Sequence, residues 1–246
     1  MEKTHGTLYG IGVGPGDPDL ITLKAVKILA KVDVIYTASS TKNDYSLAVS
    51  VARPHIPENA EIRNLGFPMS KDRKVLEDAW EKNAAEVAEI LAQGKNAAFL
   101  TLGDCLTYST YSYLARHLKR MAPEAKTVAV PGITSYHAAA ARIHRPLAEG
   151  EESLLIVSGC RGGGKLRQMG QYADNVVFLK AYKNAADITR AIEERGWREN
   201  SAGVISCGLP EERVVEDIGE FETAPPDYWT LIFSGKRNGH EEKENG

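Results

Sequence analysis

The sequence predicts an α/β protein of two domains: a first with a mostly parallel sheet and helices on both faces, and a second, smaller one with a mixed sheet. In the first half, buried apolar strands alternate with amphipathic helical segments, as in βαβ units. A polar stretch from His144 to Glu152 then interrupts this periodicity. Beyond it, strands outnumber helices. We therefore expect domains at residues 1–147 and 148–236 and a polar tail at 237–246.

The composition excludes several function classes. The chain has 246 residues, 43% hydrophobic and 26% charged, which is typical of a globular protein. Its formal net charge of −3 gives no field that would attract nucleic acid or an anionic membrane, and no apolar run is long enough for a membrane helix. The three cysteines, Cys105, Cys160 and Cys207, suit neither a disulfide framework nor a zinc site. We expect a cytoplasmic protein without a resident metal.

A glycine-rich loop follows the first strand. Four glycines alternate from Gly10 to Gly16, Pro15 stiffens the turn, and Asp17-Pro18 fits a helix N-cap with proline at the first helical position. A dinucleotide fingerprint is not matched, because Pro15 or Asp17 stands where its third glycine should be. The loop favours another ligand, although a tight turn without a ligand remains an alternative.

Three strand ends in the first half carry such loops. The second strand should run from Val32 to Thr37, and Asp44 should cap the helix after it. The strand Asn96–Leu102 ends on Gly103-Asp104, and the strand Thr127–Val130 ends on Pro131-Gly132. Because the carboxyl ends of parallel strands share one edge of a sheet, the loops can converge there.

These motifs, in this order and spacing, resemble the tetrapyrrole methylases. The similarity extends over nearly the whole chain, including Leu179–Lys183 and the terminal Tyr228-Trp229-Thr230. Within the family the chain most resembles the C20-methyltransferases of precorrin-2 or cobalt-factor II. One departure is Cys105, which stands where the family usually has proline. The absence of that proline should make the loop less rigid.

The resemblance implies an S-adenosylmethionine-dependent C-methyltransferase, commonly homodimeric, with an active cleft between its two domains and a tetrapyrrole with eight carboxylate arms as its substrate. The residues that it places around the cofactor are Pro15, Leu102, Gly103, Asp104, Thr107, Thr134, Ser135, Leu179, Lys180, Cys207, Gly208 and Thr230. Asp104 should either face the cofactor or cap the helix from Tyr108. No general base is assigned.

Substrate carboxylates need cations and an apolar floor. The residues expected to bind substrate are Tyr108, Tyr111, Arg142 and Lys183. Further cations that could serve by position are Lys42, His144, Arg145, Arg161, Lys165 and Lys180. Surface exposure alone is the alternative explanation for each charged residue, and core packing is the alternative for the tyrosines.

The sequence leaves three other functions open. The chain could be another methylase of the same family or a ligand-binding module without catalysis. It could also bind nucleotides, because Gly159 to Lys165 has the Gly-x4-Gly-Lys spacing of a P-loop. Leu166 stands where a P-loop needs Ser or Thr for Mg²⁺, so nucleotide hydrolysis is disfavoured.

Overall fold

The structure is a computed structural model that describes residues 5–39 and 47–236. The predicted cap Asp44, the candidate Lys42 and the predicted tail at 237–246 lie outside the described residues. The chain divides into two compact units, Met1–Thr134 and Ser135–Gly246. The sequence placed this boundary after residue 147. The division falls earlier because the helix that follows Thr134 packs into the core of the second unit.

Within its described residues, the first unit contains five strands, four α-helices and two short 3₁₀ turns. The strands are β1 (Thr7–Gly12), β2 (Val34–Ser39), β3 (Glu61–Gly66), β4 (Ala97–Thr101) and β5 (Lys126–Val130). The α-helices are α1 (Leu23–Leu29), α2 (Leu47–Ala52), α3 (Arg73–Ala92) and α4 (Tyr111–Met121), and Pro18–Leu20 and Arg53–His55 form 3₁₀ turns.

All five strands of the first sheet are parallel, in the order β3-β2-β4-β1-β5. Strand side chains alternate between the two faces. Tyr36 and Phe99 pack with residues of α3 and α4 on one face. Ile35 and Leu100 pack with residues of α1 and α2 on the other. The predicted parallel sheet with helices on both faces is confirmed.

Two helix starts differ from the sequence prediction. Asp17 caps the 3₁₀ turn Pro18–Leu20 through the Asp19 N–H, and α1 begins later with Thr22 as its N-cap. The helix expected from Tyr108 begins at Tyr111, because Tyr108 has a φ of 51° and cannot continue a right-handed helix.

The second unit also has five strands in its described part, residues 135–236, but its sheet is mixed. Its strands are β6 (Leu154–Ser158), β7 (Asn175–Leu179), β8 (Ser201–Ile205), β9 (Arg213–Val215) and β10 (Thr230–Gly235). Its α-helices are α5 (Ser135–Arg142), α6 (Gly164–Met169), α7 (Ala185–Glu193) and α8 (Glu220–Thr223).

The sheet order in the second unit is β6-β7-β10-β8-β9. Among the described strands of this unit only β6 and β7 pair in parallel, which confirms the predicted mixed sheet. Leu166 of α6 and Ile188 of α7 pack against one face. Tyr136 and Ala139 of α5 pack against the other. This packing explains why α5 belongs to the second unit.

Gly10 allows α4 to lie close to β1. A Cβ on Gly10 would lie 2.5 Å from Cε2 of the buried Tyr111 ring. We expect Gly10→Ala to destabilise the protein by about 1–3 kcal/mol, because it overpacks a filled core. Tyr111→Leu should restore part of that loss in the double variant. Thermal and urea unfolding measure both effects.

Gly66 provides the control for this prediction, because a Cβ there would meet nothing within 4 Å. Gly66→Ala should change the free energy of unfolding by less than about 0.5 kcal/mol. Equal stability of the Gly10→Ala and Gly66→Ala variants would show that the contact with Tyr111 does not limit the packing.

Candidate functional site

The first unit brings three loops together at one edge of its sheet. β1 lies between β4 and β5, so the carboxyl ends of these three strands are neighbours. A Cβ on Gly12 would lie 2.5 Å from the Gly103 carbonyl oxygen and 2.7 Å from the Gly132 nitrogen. A Cβ on Gly132 would lie 2.6 Å from the Gly12 carbonyl carbon. Backbone therefore touches backbone with no room for a side chain.

Hydrogen bonds join the loop after β1 to the loop after β4. The Gly14 N–H donates to the Gly103 carbonyl at 3.2 Å, and the Gly103 N–H donates to the Gly14 carbonyl at 2.7 Å. Gly14 has a φ of 87° and Gly103 a φ of 70°, a region that favours glycine. Pro15 follows directly and is buried.

Asp104 joins the loop after β4 to the loop after β5. Its Oδ1 accepts a hydrogen bond from the Leu106 N–H at 2.8 Å and another from the Thr107 hydroxyl at 3.3 Å. Its Oδ2 accepts one from the Gly132 N–H at 3.1 Å. The carboxylate thus orders the loops and does not cap a helix at Tyr108, since α4 begins at Tyr111, whose N–H bonds to the Ser109 hydroxyl.

Cys105 adds a second link between these two regions. Its thiol is buried and donates to the Val130 carbonyl with an S···O distance of 3.4 Å. Burial, together with the charge of Asp104, raises the pKa of this thiol. Cys105 is therefore a protonated packing group that ties the loop after β4 to β5.

The other predicted residues of the first unit differ in exposure. Leu102 and Thr107 are half-buried, and Thr134 is buried. Tyr108 is 53% exposed and can meet a ligand. Tyr111 is only 3% exposed, and burial raises its pKa to about 12. The prediction that Tyr111 binds substrate is corrected, because its ring packs under Gly10 in the core.

In the second unit, the start of β10 lies beside the carboxyl ends of β7 and β8, because β10 runs antiparallel to both. The Ala181 N–H donates to the Thr230 carbonyl and the Ser206 N–H to the Trp229 carbonyl, each at 3.0 Å. These bonds bring together five of the predicted residues, namely Leu179, Lys180, Cys207, Gly208 and Thr230. Ser135, the sixth predicted cofactor residue of the second unit, begins α5.

Backbone conformation at this second edge is unusual. Lys180, Ser206 and Gly208 have φ angles of 58°, 52° and 77°. Non-glycine residues rarely adopt this region, and such outliers occur often at functional sites. Burial, together with the charge of Glu212, raises the pKa of the Cys207 thiol to about 12, so that thiol is no nucleophile at neutral pH.

The two predicted substrate cations have different partners. Arg142 pairs with a carboxylate, whereas Lys183 lies over an aromatic ring. The Arg142 Nε donates to the Glu212 Oε1 at 2.5 Å, and the Glu212 Oε2 accepts from the Gly208 N–H at 2.7 Å. The Lys183 ammonium lies 5.4 Å from the centroid of the Tyr182 ring. Glu212 was missed by the sequence analysis, since 70 positions separate it from Arg142.

Three aromatic side chains, Tyr182, Tyr228 and Trp229, form a cluster next to Lys183. The Tyr182 and Tyr228 ring centroids are 4.9 Å apart, and those of Tyr228 and Trp229 are 4.7 Å apart. Tyr228 and Trp229 are each 43% exposed. The planes of neighbouring rings are inclined at 59° and 86°, so the cluster offers exposed aromatic edges and faces beside a cation.

The remaining candidate cations among the described residues differ in their surroundings. Arg145 donates to the Asn200 carbonyl at 3.1 Å, and burial lowers its pKa, so it serves as a structural anchor. His144, Arg161 and Lys165 are exposed, and Lys180 is half-buried.

The segment with P-loop spacing does not form a phosphate site. The Gly163 N–H donates to the Asp187 Oδ2 at 2.8 Å, and Arg167 pairs with the other oxygen of Asp187 at 3.0 Å. A Cβ on Gly162 would also meet Asp187. A carboxylate thus sits where a P-loop holds a phosphate, and the two anions would repel each other.

Neither a cluster of metal ligands nor a membrane-length apolar helix occurs within residues 5–39 and 47–236. No three or more His, Cys, Asp or Glu side chains in these ranges are grouped so that they could hold a metal ion. None of the helices in the same ranges is both long and apolar enough to cross a membrane.

Comparison with known structures shows the same fold. The cobalt precorrin-4 methyltransferase CbiF superposes with a TM-score of 0.74 at 22% identity, covering 96% of this chain and 97% of that one. The uroporphyrin-III C-methyltransferase from Thermus thermophilus, solved in complex with S-adenyl homocysteine, gives a TM-score of 0.65 at 22% identity, covering 94% and 98%.

Sequence relatives extend over almost the full chain. A cobalt-precorrin-2 C(20)-methyltransferase from Salmonella typhimurium is 34% identical over 95% of this chain and 98% of its own length. A probable cobalt-precorrin-2 C(20)-methyltransferase from Methanocaldococcus jannaschii is 36% identical over 79% and 80%. A cobalt-precorrin-4 C(11)-methyltransferase from Priestia megaterium is 24% identical over 85% and 77%. Residues 7–222 match the family of Tetrapyrrole (Corrin/Porphyrin) Methylases, and the chain belongs to that family.

Proposed function

We propose that the protein is an S-adenosylmethionine-dependent C-methyltransferase that methylates C20 of precorrin-2 or its cobalt complex in corrin biosynthesis. The observation that carries the proposal is the nearly full-length similarity to a C20-methyltransferase, which exceeds the similarity to the C11-methyltransferase. A methylase of another ring position is the closest alternative. A phosphate-binding function is opposed by the carboxylate of Asp187 in the glycine loop.

The loops of the first unit fit a nucleoside cofactor. Gly12 and Gly132 let the three loops pack backbone to backbone at this edge, and we propose that N–H and C=O groups of these loops contact the ligand. The proposed cofactor residues are Pro15, Leu102, Gly103, Asp104, Thr107 and Thr134 in the first unit, and Ser135, Leu179, Lys180, Cys207, Gly208 and Thr230 in the second. Asp104 would act by fixing the loops through Gly132.

Bound S-adenosylmethionine supplies a methyl group on a sulfonium. The transfer is an in-line displacement, so the protein contributes mainly by aligning the reactants and excluding water. Ordered backbone loops suit that task better than mobile side chains. We assign no general base: burial holds the pKa of Tyr111 at about 12, and its ring lies in the core.

For the tetrapyrrole we propose Tyr108 and Lys183 as contacts. Tyr108 is exposed, and Lys183 lies beside the aromatic cluster of Tyr182, Tyr228 and Trp229. A cation next to apolar rings suits a flat substrate with carboxylate arms.

We further infer a homodimer in the cytoplasm. The inference of a homodimer rests on the family, whose members are commonly homodimeric, and light scattering tests it. The cytoplasmic location is supported by Cys105, Cys160 and Cys207, which are all free thiols, as expected in a reducing compartment.

Incubation with S-adenosylmethionine and a tetrapyrrole tests the proposed function. With precorrin-2 or its cobalt complex, we expect a product heavier by one methyl group. A ¹³C-labelled methyl donor should place the new signal on C20. A methyl at another carbon would favour a different methylase of the family, and binding without product would favour a ligand-binding module.

Removing the charge of Asp104 should weaken cofactor binding. In Asp104→Asn one carboxylate oxygen becomes an NH₂ group, which only donates, so the side chain can no longer accept from both the Leu106 N–H and the Gly132 N–H. We expect the Kd for S-adenosylhomocysteine to rise about tenfold, the equivalent of one charge-assisted hydrogen bond. Isothermal titration calorimetry measures this change.

Asp72→Asn is the matched control. Asp72 accepts from the N–H two residues ahead at 2.9 Å, as Asp104 does, but it caps α3 at an exposed site. The Kd of the Asp72→Asn variant for S-adenosylhomocysteine should equal that of the parent protein. An unchanged Kd in Asp104→Asn as well would remove Asp104 from the cofactor proposal.

A further inference from the structure

Glu212 connects α5 to the loop that follows β8. It immediately precedes β9, and only 20% of its side chain is exposed. One carboxylate oxygen accepts from the Arg142 Nε at 2.5 Å and the other from the Gly208 N–H at 2.7 Å. Both oxygens are therefore used inside the protein.

The loop after β8 needs such an anchor. Ser206 has a φ of 52° and Gly208 a φ of 77°, two left-handed conformations within three residues. The Ser206 end is fixed by the backbone bond to Trp229. Leu209 and Glu212 complete the turn with bonds to Ser206 and Leu209. The Gly208 N–H donates a hydrogen bond to the carboxylate of Glu212.

Arg142 balances the charge that Glu212 brings into this site. Burial alone would raise the pKa of Glu212, but the bonds from the Gly208 N–H and from Arg142 lower it below its usual value. The carboxylate therefore remains ionised at neutral pH. Without Arg142, the partly buried carboxylate of Glu212 would lose its positively charged partner.

We propose that Glu212 is a positioning residue that fixes the Cys207–Gly208 loop, and that Arg142 acts through Glu212 and does not bind a substrate carboxylate. The inference rests on the proposed function for its consequence, since Cys207 and Gly208 are proposed cofactor residues. It revises the sequence-based hypothesis for Arg142, whose Nε is directed to Glu212.

Hydrogen exchange at the Gly208 amide tests the clamp without any ligand. In Glu212→Ala we expect this amide to exchange at least about tenfold faster, because its acceptor is gone. Arg142→Ala should raise the rate less. The double variant should match Glu212→Ala, because Arg142 acts only through Glu212. Glu212→Gln, a milder change, should give an intermediate rate.

The Kd for S-adenosylhomocysteine should follow the same order, with an increase of about tenfold in Glu212→Ala. The control is Glu220→Ala, which breaks the exposed Arg213–Glu220 pair of the same unit. It should alter neither the Gly208 exchange rate nor the Kd.

Two results would overturn the proposal. One is parent-like Gly208 exchange in both Glu212 variants. The other is an Arg142→Ala variant with parent-like exchange and Kd but a raised KM for the tetrapyrrole, which would make Arg142 a substrate ligand. If the parent protein itself fails to bind S-adenosylhomocysteine, the proposed function fails, and the exchange rates still decide the role of Glu212.

Discussion

The backbones of Gly12, Gly103 and Gly132 meet without an intervening side chain, and the edge of the first sheet depends on this contact. It requires three parallel strands to end together, with β1 between β4 and β5. Asp104 and Cys105 secure the arrangement through Gly132 and Val130. Packing of this kind fixes the positions of backbone donors and acceptors before a ligand arrives, which reduces the ordering cost of binding.

The second unit reaches a similar result by different means. Its loops are not packed glycine on glycine but are tied to an antiparallel strand, through the carbonyls of Trp229 and Thr230. Unusual backbone angles at Lys180 and Ser206 are held by these bonds, and Glu212 completes the support at Gly208. For methyl transfer, where alignment dominates, such fixed backbone is the main contribution that a protein can make.

Much of the fold could be predicted from the sequence, because hydrophobic periodicity and glycine punctuation are local signals. The parallel first sheet, the mixed second sheet and the loops at Gly103 and Gly132 were all predicted. Side-chain partners could not be. Asp104 bonds to an amide 28 positions away and Arg142 to a carboxylate 70 positions away, pairings that only the tertiary fold creates. Tyr111 was misassigned because helical spacing does not tell which face of a helix meets the core.

The claim that the glycine contact shapes a cofactor site is tested most directly by Gly132→Ala. The added Cβ would collide with the Gly12 carbonyl carbon at 2.6 Å and displace the loop after β5. Calorimetry with S-adenosylhomocysteine, performed well below the unfolding temperature, should show a Kd raised at least about tenfold. A variant that unfolds at lower temperature but keeps the parent Kd within about twofold would contradict the account.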